Sequence, residues 1–456
     1  MHHKISTLAM AATLAAITTP AFAQVAEAPD EEALRQELAE MRAQMAQMAA
    51  RMEALEASLA ETNAVAQDAS EQIADAVDTG QSTPGQTIEF KGMPQITDKS
   101  GWSFKPRGRL QFDAGTIDVP GSTGRGGFGG ETRRARLGAS GDLPGGFGYK
   151  FEFDFAASQL TVTDAIISYE TGDAEILVGQ FNTFQGLEEL TSSVHTSFIE
   201  RSAFTDAFVF ERRVGAALVI NSGDILVQTG AFTDNMIDLP GTKNWSLDSR
   251  VVYMPKIGET QLHLGGSIHY NELQGGSTVR YRQRPLVHFT ADRFINTDRL
   301  DADNEFGLGL ESAIISGPFH AAAEVYWQNV GLSAGMQDPT FFGGSIEAGY
   351  FLTKGDTRGY KSGTFDRSKP ASAVDDGGFG SLQVNLRYDR LDLNDAGIIG
   401  GTQDGYMASL VWKPTDYTML LANYAHLEYG DAAFPTGTGS RDYAADIIAM
   451  RAQIDF

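Results

Sequence analysis

The stretch Trp102–Ala114, WSFKPRGRLQFDA, alternates without a break. Trp102, Phe104, Pro106, Gly108, Leu110, Phe112 and Ala114 fall on one side, and Ser103, Lys105, Arg107, Arg109, Gln111 and Asp113 on the other. A period of two places successive side chains on opposite faces of a strand, so one face here is apolar and the other charged. The pattern continues to the carboxyl terminus. Tyr149, Phe151, Phe153 and Phe155 alternate with Lys150, Glu152 and Asp154; Leu382, Val384, Leu386 and Tyr388 with Gln383, Asn385, Arg387 and Asp389; Met450, Ala452, Ile454 and Phe456 with Arg451, Gln453 and Asp455. A soluble antiparallel sheet with one wet face would also alternate. What favours a membrane barrel is strands of about ten residues, aromatic residues on the apolar face, and short turns such as LPGGFG, NSGD and KPTD between longer polar loops. Backbone in lipid must be fully hydrogen-bonded, so such a sheet has to close on itself.

The rest of the chain is consistent with export. MHHK precedes an apolar run, Ile5 to Pro20, and the small-residue pattern Ala21-Phe22-Ala23, which reads as a signal peptide over residues 1–23. No later run is long and apolar enough for a membrane helix. The absence of cysteine excludes a disulfide-stapled scaffold, and the net charge of -24 argues against a nucleic-acid partner. In residues 29–63, Leu34, Leu38, Met41, Met45, Met48, Met52, Leu55 and Leu59 recur at alternating spacings of four and three, the seam of a coiled coil expected in the periplasm. Methionine along the seam leaves its oligomer number open. Residues 64–100 have the Gly, Thr, Pro and Asp content of a linker, and residues 101–456 form the expected barrel domain.

Between the strand patterns AEILVGQF and RRVGAALVIN lies Phe181–Ala207, FNTFQGLEELTSSVHTSFIERSAFTDA, which reads as neither strand nor helix. A structureless segment of this length inside a sheet is usually functional. In a closed barrel it can fold inward and set the pore width. Both termini on the periplasmic side require an even number of strands. About sixteen follow if Asn271 to Leu300 is a loop, and the segment with Arg280, Arg282 and Arg284 is then expected to be a second inward loop, roughly opposite the first.

At TRRARLGASGDLPGGFGYKFEFDFA, VGQFNTFQGLEELTSSVHTSFIERSAFTDAF, RRVGAAL, YFLTKGDTRGYKSGTFDRSKP and LRYDRLDLND, the chain resembles the phosphate-selective porins of the O and P type. The resemblance implies a sixteen-stranded, homotrimeric outer-membrane channel with a lumenal arginine ladder and a phosphate-binding lysine on the inward loop. Residue by residue it places the ladder at Arg109, Arg133, Arg134 and Arg201, with an alternating run at Arg280, Arg282 and Arg284. The loop lysine is not kept: Gly186-Leu187-Glu188-Glu189 puts Glu189 in its place, and Val194 replaces a second family lysine.

Arginine suits an anion pathway because its guanidinium stays charged, donates from several N–H groups in one plane, and is weakly hydrated. Arg107 joins the expected pathway through its place on the charged face of the first strand. Lys105, Arg134 and Arg136 are also inferred to face the lumen. Against these stand Glu188 and Glu189 on the constriction loop, with Glu200 and Asp206. The expected function is passive, anion-preferring diffusion of small solutes, including phosphate, across the bacterial outer membrane, with no cofactor, no bound metal and no enzymatic activity. Two alternatives are a general diffusion porin of weak selectivity and a structural protein tethering outer membrane to cell wall through residues 29–63. Gly331-Leu332-Ser333-Ala334-Gly335 matches a hydrolase elbow and Gly124–Gly129 a dinucleotide pattern, but neither has the strand-to-helix context its chemistry needs.

Overall fold

The computed structural model describes residues 86–156, 160–239, 241, 244–335 and 337–456. The expected signal peptide and coiled coil lie outside the described residues. So does most of the expected linker, but its end is structured: Gln86–Lys91 and Met93–Asp98 form an antiparallel hairpin. Gly92, at φ 81°, makes the one-residue turn between two short alternating runs.

Sixteen strands follow, each antiparallel to the next. They are β1 (Ser103–Asp118), β2 (Gly127–Leu143), β3 (Phe147–Asp154) and β4 (Thr161–Thr171); β5 (Ala174–Asn182), β6 (Arg212–Ser222), β7 (Ile225–Phe232) and β8 (Trp245–Tyr253); β9 (Thr260–Glu272), β10 (Leu300–Ser316), β11 (Phe319–Leu332) and β12 (Thr340–Phe351); and β13 (Ser381–Asp395), β14 (Ile398–Thr415), β15 (Thr418–Gly430) and β16 (Tyr443–Asp455). Strand β16 pairs back onto β1, with Met450 opposite Ala114 and Gln453 opposite Gln111. The sheet is a closed barrel, and β1 begins on the side where β16 ends.

Burial is inverted relative to a soluble sheet. Leu110 and Phe112 are half exposed, while Gln111 and Asp113, which alternate with them, are fully buried. Leu386 is 68% exposed and its neighbour Arg387 only 4%. An outer surface of this kind is stable only against lipid. At the end of β13 remote from the termini the polarity flips, with Leu391 and Leu393 buried inward and Arg390 partly exposed, as the strand leaves the apolar layer.

The apolar core lies inside the barrel. Residues 183–211 (L3) and 273–299 (L5) both enter the lumen, and Phe198, Phe204, Phe208, Tyr281, Leu286 and Phe294 pack there against inward faces of β11 to β16. L5 therefore is an inward loop, as the parity argument requires. Its position differs from the expected one: it lies against L3 instead of opposite it. Tyr281 meets Phe208 edge-on at 5.7 Å, and Arg284 and Arg293 both reach Asp206 of L3, at 3.7 and 2.9 Å. The buried aromatic residues in the two loops explain this, since each loop covers the other's apolar side.

A third inward segment, residues 352–380, has no counterpart in the sequence reading. It enters from the end at which β1 begins and β16 ends. Its hairpin, Gly359–Lys361 with Thr364–Asp366, sits beneath L3, where Phe365 is buried with Leu187, Ile315 and Ala322. The Phe365 N–H donates to Thr191 Oγ1 at 3.2 Å, Arg250 donates to the Gly363 carbonyl at 2.7 Å, and Arg358 donates to the His195 carbonyl.

Candidate anion pathway

L3, L5 and the lower segment pack against β11 to β16 and leave space in the lumen along β1 to β6. A cavity of about 480 Å³ lies there between the wall and L3. Arg109 comes from β1, Arg133, Arg134 and Arg136 from β2, Lys150 from β3, Asp164 from β4 and Arg212 from β6. L3 contributes Glu189, Glu200, Arg201 and Asp206, and L5 contributes Arg284 and His288. The lining thus holds seven arginines and one lysine against four carboxylates.

Local backbone geometry makes this density possible. Adjacent residues on a regular strand face opposite ways, so one of Arg133 and Arg134 should point into lipid. The register instead runs Gln111↔Arg134 and then Phe112↔Thr132, leaving Arg133 as the extra residue of a β-bulge. Both guanidinium groups consequently face the lumen. A second bulge, where Glu152 pairs with Asp164 and Phe153 with Val162, turns Thr163 and Asp164 inward together.

Most of the cations are held by carboxylates. Glu152 bridges Arg109 and Arg136, each at 3.0 Å, and Arg136 also meets Asp154 at 2.7 Å. Asp164 bridges Lys150 and Arg212, at 2.5 and 2.8 Å. Arg133 forms a two-pronged pair with Glu200, at 2.7 and 3.1 Å. Arg134 is the exception: buried in the lining, it donates to the neutral amide oxygen of Gln111 at 3.0 Å. Arg109 also spans the gap to L3, donating to Ser192 Oγ and Ser193 Oγ at 3.3 and 3.0 Å.

Of the residues expected from sequence, Arg109, Arg133, Arg134, Arg201, Arg284 and Glu189 meet in this cavity. Arg107 is exposed on the same face of β1 as Arg109, one step nearer the terminal end. Arg280 lines a separate cavity of about 400 Å³ beside β6 to β11 and donates to Asn296 at 2.7 Å. Arg282 is exposed. Glu188 is turned away from the cavity, accepting from Ser202 N and Oγ at 2.9 and 2.6 Å. Arg201 does two things: it meets Glu189 at 3.3 Å, and it donates to the carbonyls of Glu188, Glu189 and Thr191 at 2.9, 3.1 and 2.9 Å, tying L3 into a compact turn. Burial holds the Glu189 carboxyl above the ordinary carboxylate value, opposed by Arg201 and Arg212.

Sequence reasoning gave no role to Lys150, Asp164 or Arg212. The period of β3 already put Lys150 on the charged face. Arg212 begins β6 directly after L3, and no local periodicity announces where a strand's first residue points.

The sequence matches the phosphate-selective porin O and P family over residues 104–456. The chain belongs to that family. Its barrel is that of an outer-membrane porin. An uncharacterized protein of Caulobacter vibrioides is 43% identical, over 96% of this chain and 93% of its own. Among solved structures, an anion-selective porin from Comamonas acidovorans shares the fold, with a TM-score of 0.51 at 13% identity over 78% of this porin and 100% of that one. The outer-membrane channel DcaP of Acinetobacter baumannii gives a TM-score of 0.49 at 14% identity, over 79% of this chain and 99% of that one.

Proposed function

We propose that this porin admits small anions, phosphate among them, by passive diffusion along the β1–β6 side of the lumen, and that it works as a homotrimer. The observation that carries this reading is the twofold excess of cationic over anionic side chains lining the cavity. Arg134, without a carboxylate partner, is the strongest attractor for an incoming anion. The other arginines exchange one acceptor for another: an anion reaching Arg109 or Arg136 competes with Glu152 and is held weakly. Weak, repeated sites favour throughput over capture. Glu189 stands where the family's lysine would be, which lowers affinity further. Residues 29–63 would add a periplasmic coiled coil that contacts the cell wall.

The same carboxylates support a second reading. Glu152, Asp164, Glu200 and Glu189 could leave so little free positive charge that the pore discriminates weakly. The zero-current potential of the purified trimer in planar bilayers under a potassium chloride gradient decides between them. A potential near the chloride limit, with chloride current reduced by added phosphate, supports anion preference. A potential near zero without phosphate block establishes the general porin.

A further inference from the structure

L3 contains two helices, α1 (Leu187–Leu190) and α2 (Ala203–Ala207). Each is far too short to be stable in isolation. Their N-cap residues, Gly186 and Ser202, supply no side-chain capping hydrogen bond. The caps come from the barrel wall. Glu324 on β11 accepts the N–H of Leu187 at 2.7 Å with one oxygen and that of Glu188 at 2.8 Å with the other. Asp389 on β13 accepts the N–H of Ala203 at 2.9 Å. Between them Arg387, also on β13, donates to Glu188 of L3 and, at 2.6 Å, to Glu347 on β12, with its guanidinium 4.3 Å from the Phe198 ring centre.

The wall is also shaped for the loop. Gly343 on β12 lies directly against Phe204 of α2, and a Cβ at this glycine would stand 2.2 Å from the Phe204 Cβ. What remains between L3 and this wall is a void of about 20 Å³, room for roughly one water, whose lining includes Glu188, Glu324, Glu347 and Arg358. None of Glu324, Gly343, Glu347, Arg387 and Asp389 lines the basic cavity.

We propose that this part of the wall is a seat that determines selectivity from outside the pathway. By clamping L3 onto β11–β13 it confines solutes to the basic side and seals a second lane. With L3 lifted, that lane would be walled by Glu324, Glu347 and Asp389 against Arg358 and Arg387, a net negative set that would pass cations. Glu324 and Asp389 are accordingly positioning residues, and Gly343 is the contact that lets the seal close. The proposal rests on the reading that the basic cavity conducts, but its test reads a change from the parent protein whatever the parent's own selectivity.

The experiment compares the full-length porin with the double variant Glu324→Gln, Asp389→Asn and, separately, with Gly343→Ala. Each is purified as a folded oligomer judged by its heat-dependent gel mobility, then measured for zero-current potential, single-channel conductance and open-channel noise. Both variants should lower the anion-to-cation permeability ratio at least twofold, raise conductance and add noise as L3 moves. Folded variants that keep the parent's potential and noise, or that shift toward anions, overturn the proposal. Should the double variant fail to fold, Gly343→Ala decides alone, because it adds one methyl and removes no hydrogen bond. A parent protein that is itself cation-selective sinks the anion reading while leaving the seat to be judged by the change.

Discussion

Replacing Glu189 by glutamine tests the pathway at its point of departure from the family. The change removes one of the four carboxylates in the lining and leaves the side-chain volume nearly constant. For an anion passing about 6 Å away, an effective dielectric of about 20 gives a repulsion of about 3 kcal/mol, and salt screening over about 8 Å brings this to roughly 1.3 kcal/mol. Arg201, 3.3 Å from the Glu189 carboxylate, cancels part of it. The expected gain in anion-to-cation permeability is therefore about three- to tenfold, with phosphate block at correspondingly lower concentration. The pH dependence gives a second handle. Because the Glu189 carboxyl titrates above the ordinary carboxylate value, lowering the pH neutralises it before an ordinary glutamate. Anion preference should then rise in the parent protein as the pH falls toward that raised value, and this component should vanish in the variant. Zero-current potentials over a pH series measure both effects. A variant with unchanged selectivity, or one shifted toward cations, would refute the placement of Glu189 in the conducting lane.

Three further outcomes are expected. Arg134→Gln removes the guanidinium that has a neutral partner; at about 1.5–3 kcal/mol for a charge-assisted hydrogen bond, the phosphate concentration for half-block in bilayer recordings should rise about tenfold or more. Arg201→Ala removes donors to three L3 carbonyls, so L3 should loosen at a cost of about 3 kcal/mol, seen as open-channel noise and faster protease cleavage within residues 183–211. Leu386→Arg places a cation on the lipid face of β13, and should destabilise the barrel by about 2–4 kcal/mol in urea unfolding without altering single-channel selectivity.

How far the sequence could carry these arguments depended on whether a feature is periodic. Alternation from Trp102 onward is a property of every strand, so the barrel was legible. So was its even strand number once both termini were set on one side. Parity also required Asn271 to Leu300 to be a loop. It carried no information on where in the lumen that loop rests, which is decided by contacts such as Tyr281 on Phe208 between segments some seventy residues apart. Arg133 and Arg134 show the opposite limit. Period two allows only one of them into the lumen, and the resemblance alone placed both there; the bulge opposite Gln111 and Phe112 supplies the missing physical reason. The adjacent carboxylates Glu188 and Glu189 were indistinguishable in sequence. They separate in the structure because α1 is a single turn whose N–H groups are taken by Glu324. Fixing that turn aims Glu188 at Ser202 and Arg387 on the seat side and leaves Glu189 facing the arginines. Which of two neighbouring charges a solute meets is thus set by a carboxylate on the far wall, more than a hundred residues along the chain, and that is why the seat on β11–β13 belongs to the selectivity of the pore as much as the arginines do.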